Sequence, residues 1–118
     1  MAKKIVVIGT GYVGLPLAIM LARSGYEVVG VDIEENIVNA INEGVLKIAE
    51  EDIKRIFQEP QVRKNLHGQK TPCEADVFII SVPTPIDEKK RIADLAQVIS
   101  GVESILPFLR RGNLVIIE

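Results

Sequence analysis

Three glycines near the amino terminus have the spacing of a phosphate-binding turn. They lie in the segment Gly9-Thr10-Gly11-Tyr12-Val13-Gly14, which follows the apolar run Ile5 to Ile8 and precedes a stretch with helical periodicity. In a G-x-G-x-x-G turn the first glycine permits the tight bend, the second lets the backbone approach a pyrophosphate, and the third lets the helix pack on the strand. The amides and the dipole at the start of a helix also favour an anion. The segment therefore predicts a dinucleotide-binding turn, with Gly9, Thr10, Gly11, Tyr12, Val13 and Gly14 as cofactor-binding residues.

An acidic residue follows at the distance that such a turn requires. Asp32 stands 18 residues beyond Gly14 and closes a second apolar run, Glu27 to Val31. A carboxylate at this position accepts hydrogen bonds from the adenosine ribose and repels a 2′-phosphate, which favours NAD over NADP. The next four residues, Ile33 to Asn36, contain no arginine that could neutralise such a phosphate. The alternative is that the glycines serve only a tight turn and that Asp32 caps the following helix.

A third candidate segment runs from Ser81 to Pro85, after another apolar run. Ligands of open α/β sheets bind outside the carboxyl ends of the strands, near the reversal in strand order. One interpretation is a wall beside the nicotinamide, stiffened by two prolines, with the Thr84 hydroxyl as a hydrogen-bond partner. Its cofactor-binding residues would be Ser81, Val82, Pro83 and Thr84. The other interpretation is a proline-set turn without a ligand, and the residues alone leave both open.

The remaining reactive side chains give no catalytic or metal site. Cys73 has no histidine near it in the sequence and no adjacent lysine or arginine, so we expect a structural thiol. His67 lies beside Gly68 in a polar segment, where we expect a solvated loop. The mixed-charge run at 87–91 is likewise expected to be an exposed loop without a role. We therefore expect no catalytic residue and no metal ligand in this chain.

The composition is typical of one globular domain over residues 1–118. The chain carries 14 basic and 16 acidic residues, so no broad positive field attracts nucleic acid or an anionic membrane. A single cysteine rules out an intramolecular disulfide. The apolar run Ile5 to Ile8 is too short for a secretory signal, and no run reaches the roughly 18 apolar residues of a membrane span. We expect a soluble, cytoplasmic protein.

Strand and helix patterns alternate along the chain. Strands are predicted at 5–8, 27–31, 77–81 and 114–117, with a weaker signal for a short strand at 69–71. The first helix is predicted from near Gly11 or Tyr12 to Ser24, and the second ends at Gly44. Two short helices are predicted in 49–66, divided by Pro60. The last is predicted from Asp94, which forms a capping pair with Gln97, to Pro107. This alternation predicts an α/β fold, a Rossmann-type doubly wound parallel sheet in three layers, α/β/α, with strand order 3-2-1-4-5.

Longer runs of residues resemble a known family. Residues 11–18, 31–33 and 75–85 are similar to the N-terminal NAD-binding domain of the UDP-glucose/UDP-mannuronic acid dehydrogenase family, and the resemblance spans nearly the whole chain. Leu-Pro-Leu-Ala at 15–18 and Val-Pro-Thr-Pro at 82–85 resemble the UDP-N-acetylmannosamine branch more than the UDP-glucose branch. Enzymes of this family oxidise C6 of a UDP-sugar to a carboxylate in two hydride transfers to NAD.

The resemblance implies pyrophosphate contact from Gly9 to Gly14, ribose contact from Asp32 and cofactor contact from Ser81 to Thr84. It departs at Ile37, where many members have an arginine. In this family the catalytic cysteine, with its lysine and asparagine, lies downstream of the NAD-binding domain. We expect this chain to be a fragment without these residues and without the central and UDP-sugar-binding domains. We therefore expect NAD binding without turnover, and a homo-oligomeric full-length parent.

Two alternatives remain at this point. One is a stand-alone NAD-sensing module, and the other is the cofactor domain of a UDP-glucose dehydrogenase or a β-hydroxyacid dehydrogenase.

Overall fold

Five parallel strands form the central sheet. The computed structural model describes residues 3–10, 14–46, 50–82, 86–87, 92–93 and 95–118. The strands of the sheet are β1 (Lys4–Ile8), β2 (Glu27–Val31), β3 (Leu66–Gln69), β4 (Val77–Ile80) and β7 (Leu114–Ile117). A separate two-stranded sheet consists of β5 (Ile86–Asp87) and β6 (Ile92–Ala93), which pair antiparallel.

The strand order in the central sheet is β3-β2-β1-β4-β7, and every neighbouring pair is parallel. Strand β1 is central: Val6 pairs in register with Val29 of β2 on one side and with Phe78 of β4 on the other. Because β7 is the fifth strand of this sheet, the predicted order 3-2-1-4-5 is confirmed. The chain reverses direction of winding between β1 and β4, which opens a crevice beyond their carboxyl ends.

Helices cover both faces of the sheet. They are α1 (Gly14–Arg23), α2 (Glu35–Glu43), α3 (Glu51–Phe57), α4 (Pro60–Asn65) and α5 (Ala96–Ile105), with a 3₁₀ turn at Leu106–Phe108. Alternate residues of β1 point to opposite faces, since side chains alternate along a strand. Ile5 and Val7 pack in the cluster that α1 to α4 cover, whereas Val6 and Ile8 pack in the cluster that contains Ile105 of α5. The three-layer Rossmann-type fold is confirmed.

Strand β3 begins three residues before the weakly predicted strand at 69–71. Leu66, at its start, is buried and pairs with Val28 of β2. His67 therefore lies in an edge strand with an exposed side chain, and the prediction of a loop at His67 was wrong. The polar residues His67, Gly68 and Gln69 carry no strand pattern, so pairing with β2, not local propensity, sets this strand.

Two other boundaries differ from the predictions. Helix α5 has Leu95 at its N-cap, without a side-chain capping bond, while Asp94 lies outside the described residues. Asp87, expected in an exposed loop, belongs to β5 and pairs with Ile92 of β6; residues 88–91 lie outside the described ranges. The predicted break of α5 before Pro107 is confirmed, since the 3₁₀ turn replaces the helix there.

Strand β7 forms one edge of the sheet, and all four of its side chains are exposed. They are Leu114, Val115, Ile116 and Ile117.

In the described part of the chain, no helix is both long enough and apolar enough to span a membrane.

Candidate functional site at the carboxyl edge of the sheet

The turn after β1 closes against the ends of two neighbouring strands. Gly9 has a φ angle of 88°, and its amide donates a hydrogen bond of 2.8 Å to the carbonyl oxygen of Val31, at the end of β2. A Cβ atom on residue 9 would overlap the carbonyl oxygen of Ser81, just after β4. Both the backbone angle and this contact therefore require glycine at position 9.

Gly14 begins α1 and packs directly on the first glycine of the turn. A Cβ atom on Gly14 would overlap the carbonyl oxygen of Gly9, so there is no room for a side chain between these two residues. The first turn of α1, residues 14–17, is fully described and contains no acidic residue, so no carboxylate there opposes the positive end of the helix dipole. Gly11, Tyr12 and Val13 lie outside the described residues.

Asp32 links the glycine turn to the loop after β2. Its Oδ2 accepts hydrogen bonds from the Thr10 amide, at 3.2 Å, and from the Thr10 hydroxyl, at 3.3 Å. Its Oδ1 accepts a hydrogen bond of 2.9 Å from the Glu34 amide. The half-buried carboxylate is therefore held between the β1–α1 turn and the β2–α2 loop.

The helix-capping alternative for Asp32 does not match this geometry. The N-cap residue of α2 is Glu34, two positions later, and it makes no side-chain capping bond. The bond from the Glu34 amide to Asp32 closes a local Asx turn, which precedes the helix. Asp32 thus orders the loop that leads into α2 while its carboxylate faces the glycine turn.

The segment after β4 contributes its first two residues to the same edge. The Ser81 amide donates a hydrogen bond of 2.8 Å to the carbonyl oxygen of Ile8, which fixes Ser81 beside the start of the glycine turn. Val82 is half-buried against the cluster on the α5 face. Pro83 and Thr84, the other two candidate residues of this loop, lie outside the described residues.

These contacts bring three sequence-predicted positions together, because β1, β2 and β4 end at one edge. Gly9, Asp32 and Ser81 each follow the last residue of a strand directly. The glycine turn leads into the amino terminus of α1, and the Asp32 carboxylate lies next to Thr10 of this turn. The amino terminus of a helix suits a pyrophosphate and a carboxylate suits ribose hydroxyls, so the chemistry of this edge fits a dinucleotide.

Comparison with known proteins decides the family. Residues 3–118 match the NAD-binding domain of the UDP-glucose/GDP-mannose dehydrogenase family. The chain belongs to this family. It is 50% identical, over 98% of its length, to the UDP-N-acetyl-D-mannosamine dehydrogenase of Methanococcus maripaludis, of which it covers 28%.

Solved structures agree with this family assignment. The UDP-N-acetyl-mannosamine dehydrogenase Cap5O from Staphylococcus aureus superposes with a TM-score of 0.92 at 40% identity, over 98% of this chain and 28% of that one. The GDP-mannose dehydrogenase from Pseudomonas aeruginosa superposes with a TM-score of 0.84 at 30% identity, over 96% of this chain and 27% of that one. The chain therefore spans little more than a quarter of the length of its relatives.

Membership of the dehydrogenase family confirms the resemblance and identifies NAD as the cofactor. The comparisons support this interpretation over a stand-alone sensing module and over a β-hydroxyacid dehydrogenase. Ile37, at which the sequence departs from the arginine of many family members, is half-buried in α2 and packs against the cluster that α1 to α4 cover. At this position the chain extends its core.

Cys73 lies near the amino ends of the strands, opposite the glycine turn. Its half-buried thiol lines an open groove of about 730 Å³ near the amino ends of β1, β4 and β7. Lys4, Asp76 and Asn113 also line this groove, whereas Gly9, Asp32 and Ser81 do not. Among the described residues, no three His, Cys, Asp or Glu side chains lie close enough together to hold a metal ion.

The contact between Thr10 and Asp32 was not predicted from the sequence. The sequence assigned Thr10 to the pyrophosphate-binding turn, but both its amide and its hydroxyl donate to Asp32. No local pattern could reveal this pair, because the two residues are 22 positions apart and meet only when β1 and β2 align.

Proposed function

We propose that this chain is the cofactor-binding part of an NAD-dependent UDP-sugar 6-dehydrogenase that acts on UDP-N-acetylmannosamine. The substrate proposal rests on the relatives named as UDP-N-acetylmannosamine dehydrogenases, which are more similar to this chain than the GDP-mannose enzyme is. In the proposed reaction the C6 alcohol would be oxidised to a carboxylate by two successive hydride transfers to two NAD⁺, with one water consumed and three protons released. NAD supplies the hydride acceptor, and the residues of this chain hold it.

The observation that carries this proposal is the position of the Asp32 carboxylate beside the glycine turn. We assign the pyrophosphate to the turn from Gly9 to Gly14, where the dipole of α1 favours negative charge and no acidic residue stands in the first turn of the helix. We assign the adenosine ribose to Asp32. The segment from Ser81 to Thr84 is assigned to the nicotinamide side.

We further propose that these 118 residues form one domain that binds NAD without oxidising a UDP-sugar. The nucleophile that the resemblance implies is a cysteine, and Cys73 lines the groove at the opposite edge of the sheet. Hydride transfer also requires a substrate held against the cofactor in reactive geometry. Residues for both tasks would come from the part of the parent that corresponds to the remaining length of the relatives, beyond the matched quarter. A homo-oligomeric parent in the cytoplasm completes the proposal.

Isothermal titration calorimetry with NAD and NADP tests this function. We expect micromolar-range binding of NAD by the unmodified chain and weaker binding of NADP. The Asp32→Ala variant should bind NAD about 10- to 100-fold more weakly, because hydrogen bonds to a charged group contribute about 1.5–3 kcal/mol. It should also lose most of its discrimination against NADP. Preference of the unmodified chain for NADP, or no binding of either nucleotide, would overturn the proposal.

A further inference from the structure

Thr10 has an unusual environment within the glycine turn. Among the described residues it is the one polar side chain that is buried, with 2% of its surface exposed. Its methyl group packs beside Gly30 of β2, where an added Cβ atom would come within 2.9 Å of Thr10 Cγ2. The small residue at Gly30 therefore makes the space in which the Thr10 side chain lies.

The Thr10 hydroxyl acts on the carboxylate of Asp32. A carboxylate offers about four acceptor positions, two on each oxygen. The Thr10 amide and hydroxyl occupy the two positions on Oδ2, and the Glu34 amide occupies one on Oδ1. Within the described part of the chain, these contacts leave one position on Oδ1 for a further donor, such as a ribose hydroxyl.

We propose that Thr10 is a positioning residue for cofactor selection. By donating to Oδ2 in addition to the two backbone amides, its hydroxyl narrows the rotamers of Asp32 so that Oδ1 is presented to the adenosine ribose. This inference rests on the proposed function, since it requires Asp32 to contact the ribose. It assigns Thr10 a role in the choice between NAD and NADP, separate from the pyrophosphate contact of the rest of the turn.

The physical reason is the freedom of a short acidic side chain. Without the hydroxyl, Asp32 keeps the Thr10 and Glu34 amides as partners but is held less firmly, so binding the ribose carries a larger entropic cost of ordering the carboxylate. The carboxylate also repels a 2′-phosphate most strongly when it is held close to it. Loss of the hydroxyl should therefore weaken NAD binding more than NADP binding.

Two substitutions separate the hydroxyl from the shape of the side chain. Thr10→Val keeps the volume beside Gly30 and removes the donor, whereas Thr10→Ser keeps the donor and removes the methyl group. We expect Thr10→Val to raise the Kd for NAD about three- to tenfold, since the lost bond is long at 3.3 Å, and to change the Kd for NADP by less than about twofold. Thr10→Ser should keep the NAD-to-NADP ratio of the unmodified chain.

Calorimetry with both nucleotides on the three proteins decides the proposal, with thermal unfolding as a check on folding. Equal weakening of NAD and NADP by Thr10→Val would mean a general loop defect and would overturn the proposal. So would an unchanged ratio, or tighter NAD binding, which would mean that the hydroxyl competes with the ribose. Failure of the proposed function gives a different result, namely that the unmodified chain binds no nucleotide. If Asp32→Ala loses NAD binding while Thr10→Val leaves the ratio of the NAD and NADP Kd values unchanged, the proposed function stands and only the role of Thr10 is refuted.

Discussion

Substitution of Gly9 by alanine should destabilise the fold far more than the same substitution at Gly112. Both glycines have a φ angle near +90°, 88° and 92° respectively, so an alanine meets a similar backbone penalty at each, about 1–2 kcal/mol. They differ in their surroundings. A Cβ at Gly112 meets nothing within 4 Å, whereas one at Gly9 overlaps the carbonyl oxygen of Ser81. Relief of that overlap requires backbone movement, which adds about 1–3 kcal/mol.

The expected losses are therefore about 1–2 kcal/mol for Gly112→Ala and about 2–5 kcal/mol for Gly9→Ala. Urea unfolding followed by far-ultraviolet circular dichroism measures both free energies on the same scale. The Gly9→Ala variant should also lose NAD binding. The Gly112→Ala variant should keep it, because Gly112 lies in the turn before β7. Equal losses of stability in the two variants would refute the claim that the turn is packed against the end of β4.

Two further predictions test the packing and the surface charges. Ile80 is fully buried, whereas Ile117, its register partner on β7, is 58% exposed. In urea unfolding, Ile80→Ala should therefore lower the free energy of unfolding by about 2–5 kcal/mol and Ile117→Ala by less than about 1.5 kcal/mol. Equal losses would contradict the exposed position of β7. The ion pair between Arg23 and Glu59 is 3.3 Å long and solvent-exposed. Glu59→Gln should therefore change the free energy of unfolding by less than about 1 kcal/mol, and by less still in high salt. A larger loss would show that this pair contributes substantially to the packing of α4 on α1.

The sequence predicted the sheet because its central strands are continuous apolar runs. Ile5 to Ile8 and Phe78 to Ile80 are buried on both faces, and such runs indicate parallel strands whatever their neighbours. Strand β3 was misplaced because only Leu66 in it carries an apolar signal. The β5–β6 hairpin was missed, since the polar and charged residues around Asp87 are typical of a loop.

The site was predictable only as far as its spacing in the chain. The interval from Gly14 to Asp32 is a property of one β-α-β unit, so the sequence alone indicates that the acid and the turn meet. The partners of each group depend on alignment of separate strands. The contact of Gly9 with Ser81 joins residues 72 positions apart, and the Thr10 hydroxyl on Asp32 requires the space at Gly30 in the next strand. Neither has a local pattern.

Amide chemical-shift changes in a ¹⁵N-labelled sample locate NAD on the protein most directly. We expect the largest changes at the carboxyl ends of the strands, at Gly9, Gly14, Asp32 and Ser81. Changes concentrated instead at the opposite groove, around Cys73 and Asn113, would contradict the proposed site.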